Sequence, residues 1–335
     1  MKNSLLVNNI RKLTVVAVFF TQIFLSGCAE KTLEVTTKHV GILCGLEYMS
    51  ATADSFIDEL AELGFVEGEN IVFDFQRTNF DIANYQQILK QFVADSVDLI
   101  FVFPTEATQE AKKITEGTGI PVVFAVANIE GTELVDNVRN PGGNVTGIRY
   151  PGPDIAIKRF EIMMELLPNT KRICIPYQRD YPIVASQLNA LKPVAEKADV
   201  SIFEIPAADA AEIEQNFNQL SQNRFDAILF LAEPLTVVPE AFRAISKYAS
   251  KNKIPVVGTS VLVENYTTLF GVNIDPVATG KQAARLAEKI LNGKSVGSIP
   301  VLSSESYIQL NYKAATEMGI TVPEGLLSRS DEIIR

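Results

Sequence analysis

The side chains best equipped for chemistry fall in six short stretches, each placed directly after an apolar run. They are Leu46-Glu47-Tyr48, Pro104-Thr105-Glu106-Ala107-Thr108, Ala127-Asn128, Tyr177-Gln178-Arg179-Asp180-Tyr181, Glu233-Pro234 and Thr259-Ser260. Together they offer hydroxyls, carboxylates, an amide and tyrosines, a mixture suited to holding a small molecule. Glu47, Glu106 and Glu233 can each pair an ammonium group, or be plain surface carboxylates. Tyr48, Tyr177 and Tyr181 can stack on an aromatic or apolar ligand, since a tyrosine suits a half-wet site. Thr105 and Thr108 stand where a helix begins, and free N–H groups there favour an anion such as a carboxylate. Simple helix capping accounts for Thr105 equally well. Ala107, Asn128, Thr259 and Ser260 complete the candidate ligand-binding set.

Catalytic patterns are absent. There is no Gly-x-x-x-x-Gly-Lys-Ser/Thr loop, and no Gly-x-Gly-x-x-Gly follows a strand. Gly258-Thr259-Ser260 lacks the second glycine of a nucleophile elbow, and no base histidine stands ready to activate Ser260. His39 is the only histidine of the chain, a poor start for a metal or proton-transfer site. The carboxylate pairs Asp58/Glu62 and Glu161/Glu165 sit on the polar faces of helices, where solvent accounts for them. No catalytic residue, no metal and no cofactor is expected, and the chain reads as a binder.

Apolar strands alternate with amphipathic helices. HVGILCG is followed by SFIDELAELG, NIVFDFQ by ANYQQILKQFVAD, and VDLIFVFP by EATQEAKKITEGTG and IPVVFAVAN. These strands are continuous apolar runs, the pattern of a parallel sheet covered on both faces by helices. Gly, Pro and Asn interrupt the alternation at Asn140–Pro153. It restarts with AIKRFEIMMELLP and KRICIPY and runs on to IPVVGTS, breaks again at Val263–Asn273, and resumes with the helix PVATGKQAARLAEKILNG. The units ending in IPVVFAVAN and IPVVGTS share a strand–turn–helix–strand plan and the Ile-Pro-Val-Val tetrapeptide. The expected fold is α/β: two doubly wound parallel-sheet lobes joined by a hinge that the chain crosses more than once. The first lobe is expected at 39–147 plus 273–298 and the second at 148–272 plus 299–335. Ligands of such sheets bind outside the carboxyl ends of the strands, where the six stretches fall. Cys44 and Cys174 lie in apolar runs far apart in sequence and read as free, buried thiols.

The N-terminus carries a different signal. Lys2, Arg11 and Lys12 precede the apolar stretch Leu13–Leu25, then come Ser26, Gly27 and Cys28. Positive charge, a short apolar core and small residues in that order form an export signal, and the core is too short for a comfortable span. Leu25-Ser26-Gly27-Cys28 resembles a bacterial lipobox, which implies cleavage before Cys28 and a lipid on its thiol. Residues 1–27 are then a signal peptide and 28–38 a tether to the extracytoplasmic face of a bacterial membrane. Loss of three cations takes the formal charge from −10 to −13. A surface that acidic repels phosphate backbones, so nucleic acid is not an expected partner.

Longer stretches carry a family resemblance: FIDELAELGFVEGENIVFDFQ, NPGGNVTGI, GVNIDPVATGKQAARLAEKILNGK and MGITVPEGLLSRSDEII. They resemble the ABC-transporter substrate-binding proteins of the tryptophan/tyrosine type over nearly the whole chain after the signal. The resemblance implies a type I periplasmic-binding-protein fold, binding of a small solute and its delivery to ABC permease subunits; the chain is expected to act as a monomer. It also implies that Thr105 serves as a carboxylate anchor. Glu233-Pro234-Leu235-Thr236, Gly258-Thr259-Ser260 and Ala127-Asn128-Ile129 depart from the family's Thr-Asp-Asn-Thr, Gly-Ser-Asp and Thr-Asp-Pro, so three acidic positions are lost. An ammonium partner then falls to Glu233, Glu47 or Glu106, or the ligand is not an amino acid. The rival readings are a ligand-sensing lipoprotein reporting to a membrane kinase or chemoreceptor, and an α/β hydrolase or transferase, which the missing nucleophile and base disfavour.

Overall fold

A computed structural model describes residues 37–335; the expected signal peptide, residues 1–27, and Cys28 lie outside the described residues. In chain order the elements are β1 (Lys38–Cys44), α1 (Ser50–Glu62), β2 (Ile71–Arg77), α2 (Ile82–Ala94), β3 (Leu99–Phe103), α3 (Thr105–Ile114), β4 (Val122–Ala127), β5 (Val145–Arg149) and α4 (Gly152–Leu166). Then come β6 (Arg172–Gln178), α5 (Val184–Lys197), β7 (Ser201–Ala207), α6 (Ala210–Asn218), β8 (Ala227–Leu229), α7 (Pro239–Asn252) and β9 (Val256–Val257). The last are β10 (Leu262–Val263), β11 (Tyr266–Thr267), β12 (Phe270–Ile274), α8 (Pro276–Leu291), β13 (Leu302–Ser303), β14 (Ser306–Asn311), α9 (Tyr312–Glu317), α10 (Glu324–Arg329) and β15 (Glu332–Ile334).

One sheet has the order β13-β5-β4-β3-β1-β2, and all its pairings are parallel. Its two faces are covered by separate apolar clusters, one around Phe56 and Phe101, the other around Tyr85 and Phe124. A second parallel sheet runs β7-β6-β8-β9. The three-stranded β12-β14-β15 continues it through a bridge between Gly258 and Gly271. Burial on both faces explains the continuous apolar runs, because neither side of a strand meets water. The architecture is therefore the α/β parallel-sheet fold expected. The Ile-Pro-Val-Val rhyme corresponds to equivalent units, β3-α3-β4 and β8-α7-β9, each ending in a strand parallel to its first.

The structure departs from these expectations at three places. Asn140–Pro153 was expected to interrupt the pattern, yet it contains β5, an inner strand of the first sheet. Gly147 is needed there because a Cβ would lie 2.1 Å from the carbonyl oxygen of Phe124, so close packing disguises a strand as a turn. Val263–Asn273 likewise contains most of β12. Finally, Leu302–Ser303, expected with the second lobe, pairs with β5 in the first sheet, while Ser306–Asn311 pairs with β12 and β15. What reads as one strand in IPVLSSESYIQL changes sheet at Ser304-Glu305.

The chain passes between the two sheets three times, at β5 to α4, β12 to α8 and β13 to β14. Met49 and Val126 pack against the cores of both sheets, so the carboxyl ends of the two sets of strands meet. Val126 has φ 52° and sits at a register shift of β4 between Ala125 and Ala127. That conformation is strained for a β-branched residue, and the bulge redirects the chain into Asn128.

Candidate functional site

The junction is built from loops that leave β1, β3, β4, β6 and β8. Strand β3 ends at the cis Phe103-Pro104 peptide, and α3 begins at Thr105. Pro104 occupies the N-cap and provides no side-chain cap, so the first-turn N–H groups of Thr105, Glu106 and Ala107 have no acceptor among the described residues. Such uncapped groups carry the positive end of the helix dipole. Thr105 is not the cap. Its oxygen accepts the backbone N–H of Asn128 at 3.0 Å, which clips the end of β4 to the start of α3.

Asn128 is 3% exposed, and its Oδ1 has no hydrogen-bond partner among the described residues. A buried amide without partners costs on the order of 1–3 kcal/mol, so an unpartnered one at the end of a strand calls for an explanation. The side chain points from the first sheet toward the second: a Cβ on Gly152, the first residue of α4, would lie 2.8 Å from Oδ1.

Glu106 and Tyr181 join the two sheets directly. The Tyr181 hydroxyl donates to Glu106 Oε1 at 3.2 Å. Burial pushes the Tyr181 phenol far above its ordinary value, and the Glu106 charge adds to the shift. Tyr48 follows β1 on the short turn Glu47–Met49 and is 76% exposed. Its pKa is nevertheless raised by desolvation, then by Tyr150 and Glu106. The ring is therefore open to solvent while lying within reach of the Glu106 charge.

The structure assembles Tyr48, Thr105, Glu106, Ala107, Asn128 and Tyr181 as candidates and leaves the other five in different settings. Glu233 is buried, and both carboxylate oxygens are committed: they accept N–H groups of Gln178, Leu235 and Thr236 at 2.8–3.0 Å and the Thr236 hydroxyl. That corrects the expectation of an open ammonium partner. Tyr177 donates to Glu204 on β7 at 2.8 Å, and Lys192 of α5 pairs with the same carboxylate. Tyr177 therefore faces the edge strand and not Tyr48 and Tyr181. Glu47 is exposed and makes no side-chain hydrogen bond among the described residues. Thr259 and Ser260 are half-buried in the turn after β9, where the Ser260 backbone closes over Gly271.

Sequence reasoning missed Arg159. It is 1% exposed and donates to the carbonyls of Val272 and Phe230 and to Asn273 Oδ1 at 2.7–3.2 Å. No carboxylate pairs with it among the described residues, and burial lowers its pKa, opposed by Tyr150 and Glu233. It ties α4 to the ends of β8 and β12 and leaves a positive charge beneath the second sheet's strand ends. It stands on α4 between Lys158 and Phe160, and nothing in its spacing marks it in the sequence. Two cavities of about 550 and 520 Å³ lie elsewhere, around Arg172 and Asp226, and around Ser246 and Tyr266; neither includes a residue of the junction.

A family model for ABC transporter substrate binding proteins matches residues 40–334. The tyrosine-binding protein of Clostridioides difficile (strain R20291) is 31% identical over 287 residues, covering 84% of this chain and 81% of that one. Among solved structures, the ligand-free, open form of a substrate binding protein with adhesive properties from Clostridium difficile superposes with TM-score 0.74 at 28% identity. It covers 89% of this chain and 99% of that one. An ABC domain from Streptococcus pneumonia in complex with L-Trp superposes with TM-score 0.75 at 25% identity, covering 89% of this chain and all of the other.

Proposed function

The chain belongs to the family of ABC transporter substrate binding proteins, and from that premise we propose that it captures an amino acid with an aromatic or branched side chain. It does so at the junction of its two sheets and hands the ligand to ABC permease subunits. The observation that carries the reading is the unpartnered, buried side-chain oxygen of Asn128 beside the uncapped first turn of α3. A ligand carboxylate satisfies the N–H groups and accepts the Thr105 hydroxyl proton. Tyr48 and Tyr181 offer ring surface to a side chain. The names of the relatives, one a tyrosine-binding protein and one holding L-Trp, support this ligand class.

The export signal supports a lipid anchor on Cys28 at the extracytoplasmic face of a bacterial membrane, with the folded chain working there as a monomer. Ligand binding favours a closed arrangement by the free energy of contacts made only in that state, and closure presents the permease with a surface the free protein lacks. No reaction is assigned to the protein.

Calorimetric titration of the chain beginning after Cys28 tests the ligand class. Saturable binding of L-tryptophan or L-tyrosine, with a melting point that climbs with ligand concentration by mass action, is the expected result. A panel in which sugars or nucleosides bind and amino acids do not refutes it. Labelling with an alkyne fatty acid, lost on Cys28→Ala, tests the anchor.

A further inference from the structure

Resting on that amino-acid reading, we propose that Glu106 receives the ligand's ammonium group, with Tyr181 as its partner across the junction, so that this chain selects for a positively charged nitrogen. Of the strand-end carboxylates, Glu47, Glu106 and Glu233 are the candidates for this role, and what each already holds separates them. Glu233 has spent both oxygens on the turn that follows it. Glu47 is exposed on the turn at Glu47–Met49, where an ammonium gains little over water. Glu106 is half-buried; its Oε1 takes a single long bond from Tyr181, and its Oε2 meets no donor among the described residues.

The acid's place in the chain matters as much as its freedom. Glu106 follows Thr105, whose oxygen holds the N–H of Asn128, and Asn128 aims an empty, buried Oδ1 at the same junction. An ammonium group has three protons and no lone pair. A carboxylate oxygen, an amide oxygen and a phenol oxygen are acceptors of the kind it requires. The uncapped first turn of α3 beside them suits the carboxylate that an α-amino acid carries one carbon away. The Glu106 charge is already felt locally, since it helps to raise the phenols of Tyr48, Tyr85 and Tyr181. An arriving ammonium neutralises that charge without a second acid. Tyr181 holds the place until then, and because it belongs to the second sheet, ligand capture at Glu106 is coupled to the approach of the two halves.

The test compares ligands that differ only in the amine: L-tryptophan against indole-3-propanoate, titrated into wild type, Glu106→Gln and Tyr181→Phe. Wild type is expected to prefer L-tryptophan at least tenfold. Glu106→Gln should weaken L-tryptophan by roughly ten- to a hundredfold, the range of a lost hydrogen bond to a charged group. It should leave indole-3-propanoate within about twofold, while Tyr181→Phe costs L-tryptophan less than Glu106→Gln does. Equal wild-type affinity for the two ligands overturns the proposal without any variant. Unchanged L-tryptophan binding by Glu106→Gln overturns it while leaving the amino-acid reading intact. A wild type that binds no amino acid overturns both.

Discussion

Glu233 shows how a side chain's role depends on what its neighbours already take from it. In sequence it is an acid at a strand end, as eligible as Glu106. In the structure it behaves as a helix-cap carboxylate, accepting N–H groups two and three residues ahead as well as that of Gln178 on the adjacent strand. Glu233→Gln should therefore act on stability: it turns one acceptor into a donor facing donors, for a loss of about 1–3 kcal/mol. Urea denaturation of the ligand-free protein reads that loss, and an unchanged midpoint would remove the capping role. The spacing Glu-Pro-Leu-Thr did hold the signal, since an acid three residues before a threonine can close a short turn on itself. Two thiols make the complementary case. Cys44 and Cys174 are buried and free, and desolvation raises both pKa values. A thiol reagent should therefore leave both unlabelled in the native protein and label both in guanidinium; rapid native labelling would contradict the burial.

Elements were legible where periodicity was strong and hidden where packing demanded small residues. The helices of the first sheet and the β3-α3-β4 unit follow from apolar spacing alone. Strand β5 does not, because Gly147 must let it approach Phe124, and composition alone cannot tell that glycine from one in a turn. Gly280 of α8 poses the same problem inside a helix: a Cβ there would lie 2.1 Å from Ser55 Oγ and 2.2 Å from the Thr52 carbonyl oxygen on α1. Alanine has the better intrinsic helix propensity, by about 1 kcal/mol, yet a clash with backbone costs about 1–3 kcal/mol. Gly280→Ala should accordingly lower the thermal midpoint; a rise would show that the α1–α8 contact yields easily. Strand β8 begins beside a charged clamp: Asp226 accepts the N–H groups of Lys171 and Arg172 and pairs with the Arg172 guanidinium at 2.7 Å. These bonds outweigh its partial burial and hold its pKa below the usual carboxylate range. A depressed folded-state pKa contributes stability that is full above the ordinary carboxylate pKa and is lost as pH falls through the folded one. The stability gap between wild type and Asp226→Asn should thus be widest near neutrality and close in acid. A gap independent of pH would assign it to packing.

At the scale of the whole molecule, sequence alternation yields two sheets but not the device between them, because its parts lie far apart in the chain. Arg149, the last residue of β5, pairs with Glu130 of the first half and with Asp154 on α4 at 3.0 Å. It also donates at 2.8 Å to Ser303, 154 residues away. One side chain thus holds two of the three passages, β5 to α4 and β13 to β14. No local pattern announces such a residue; RYPGP reads only as a turn. Because the clamp crosses the hinge, its loss should show in the spread of inter-sheet arrangements more than in folding. X-ray scattering from ligand-free Arg149→Ala should give a larger radius of gyration than wild type, and saturating L-tryptophan should bring both to the same smaller value. The variant then pays for its added freedom with weaker binding, since the ligand must now select the closed form from a broader population. Identical ligand-free scattering with weakened binding would instead place Arg149 in the ligand site. Identical scattering with unchanged binding would leave the angle between the sheets to the packing of Met49 and Val126.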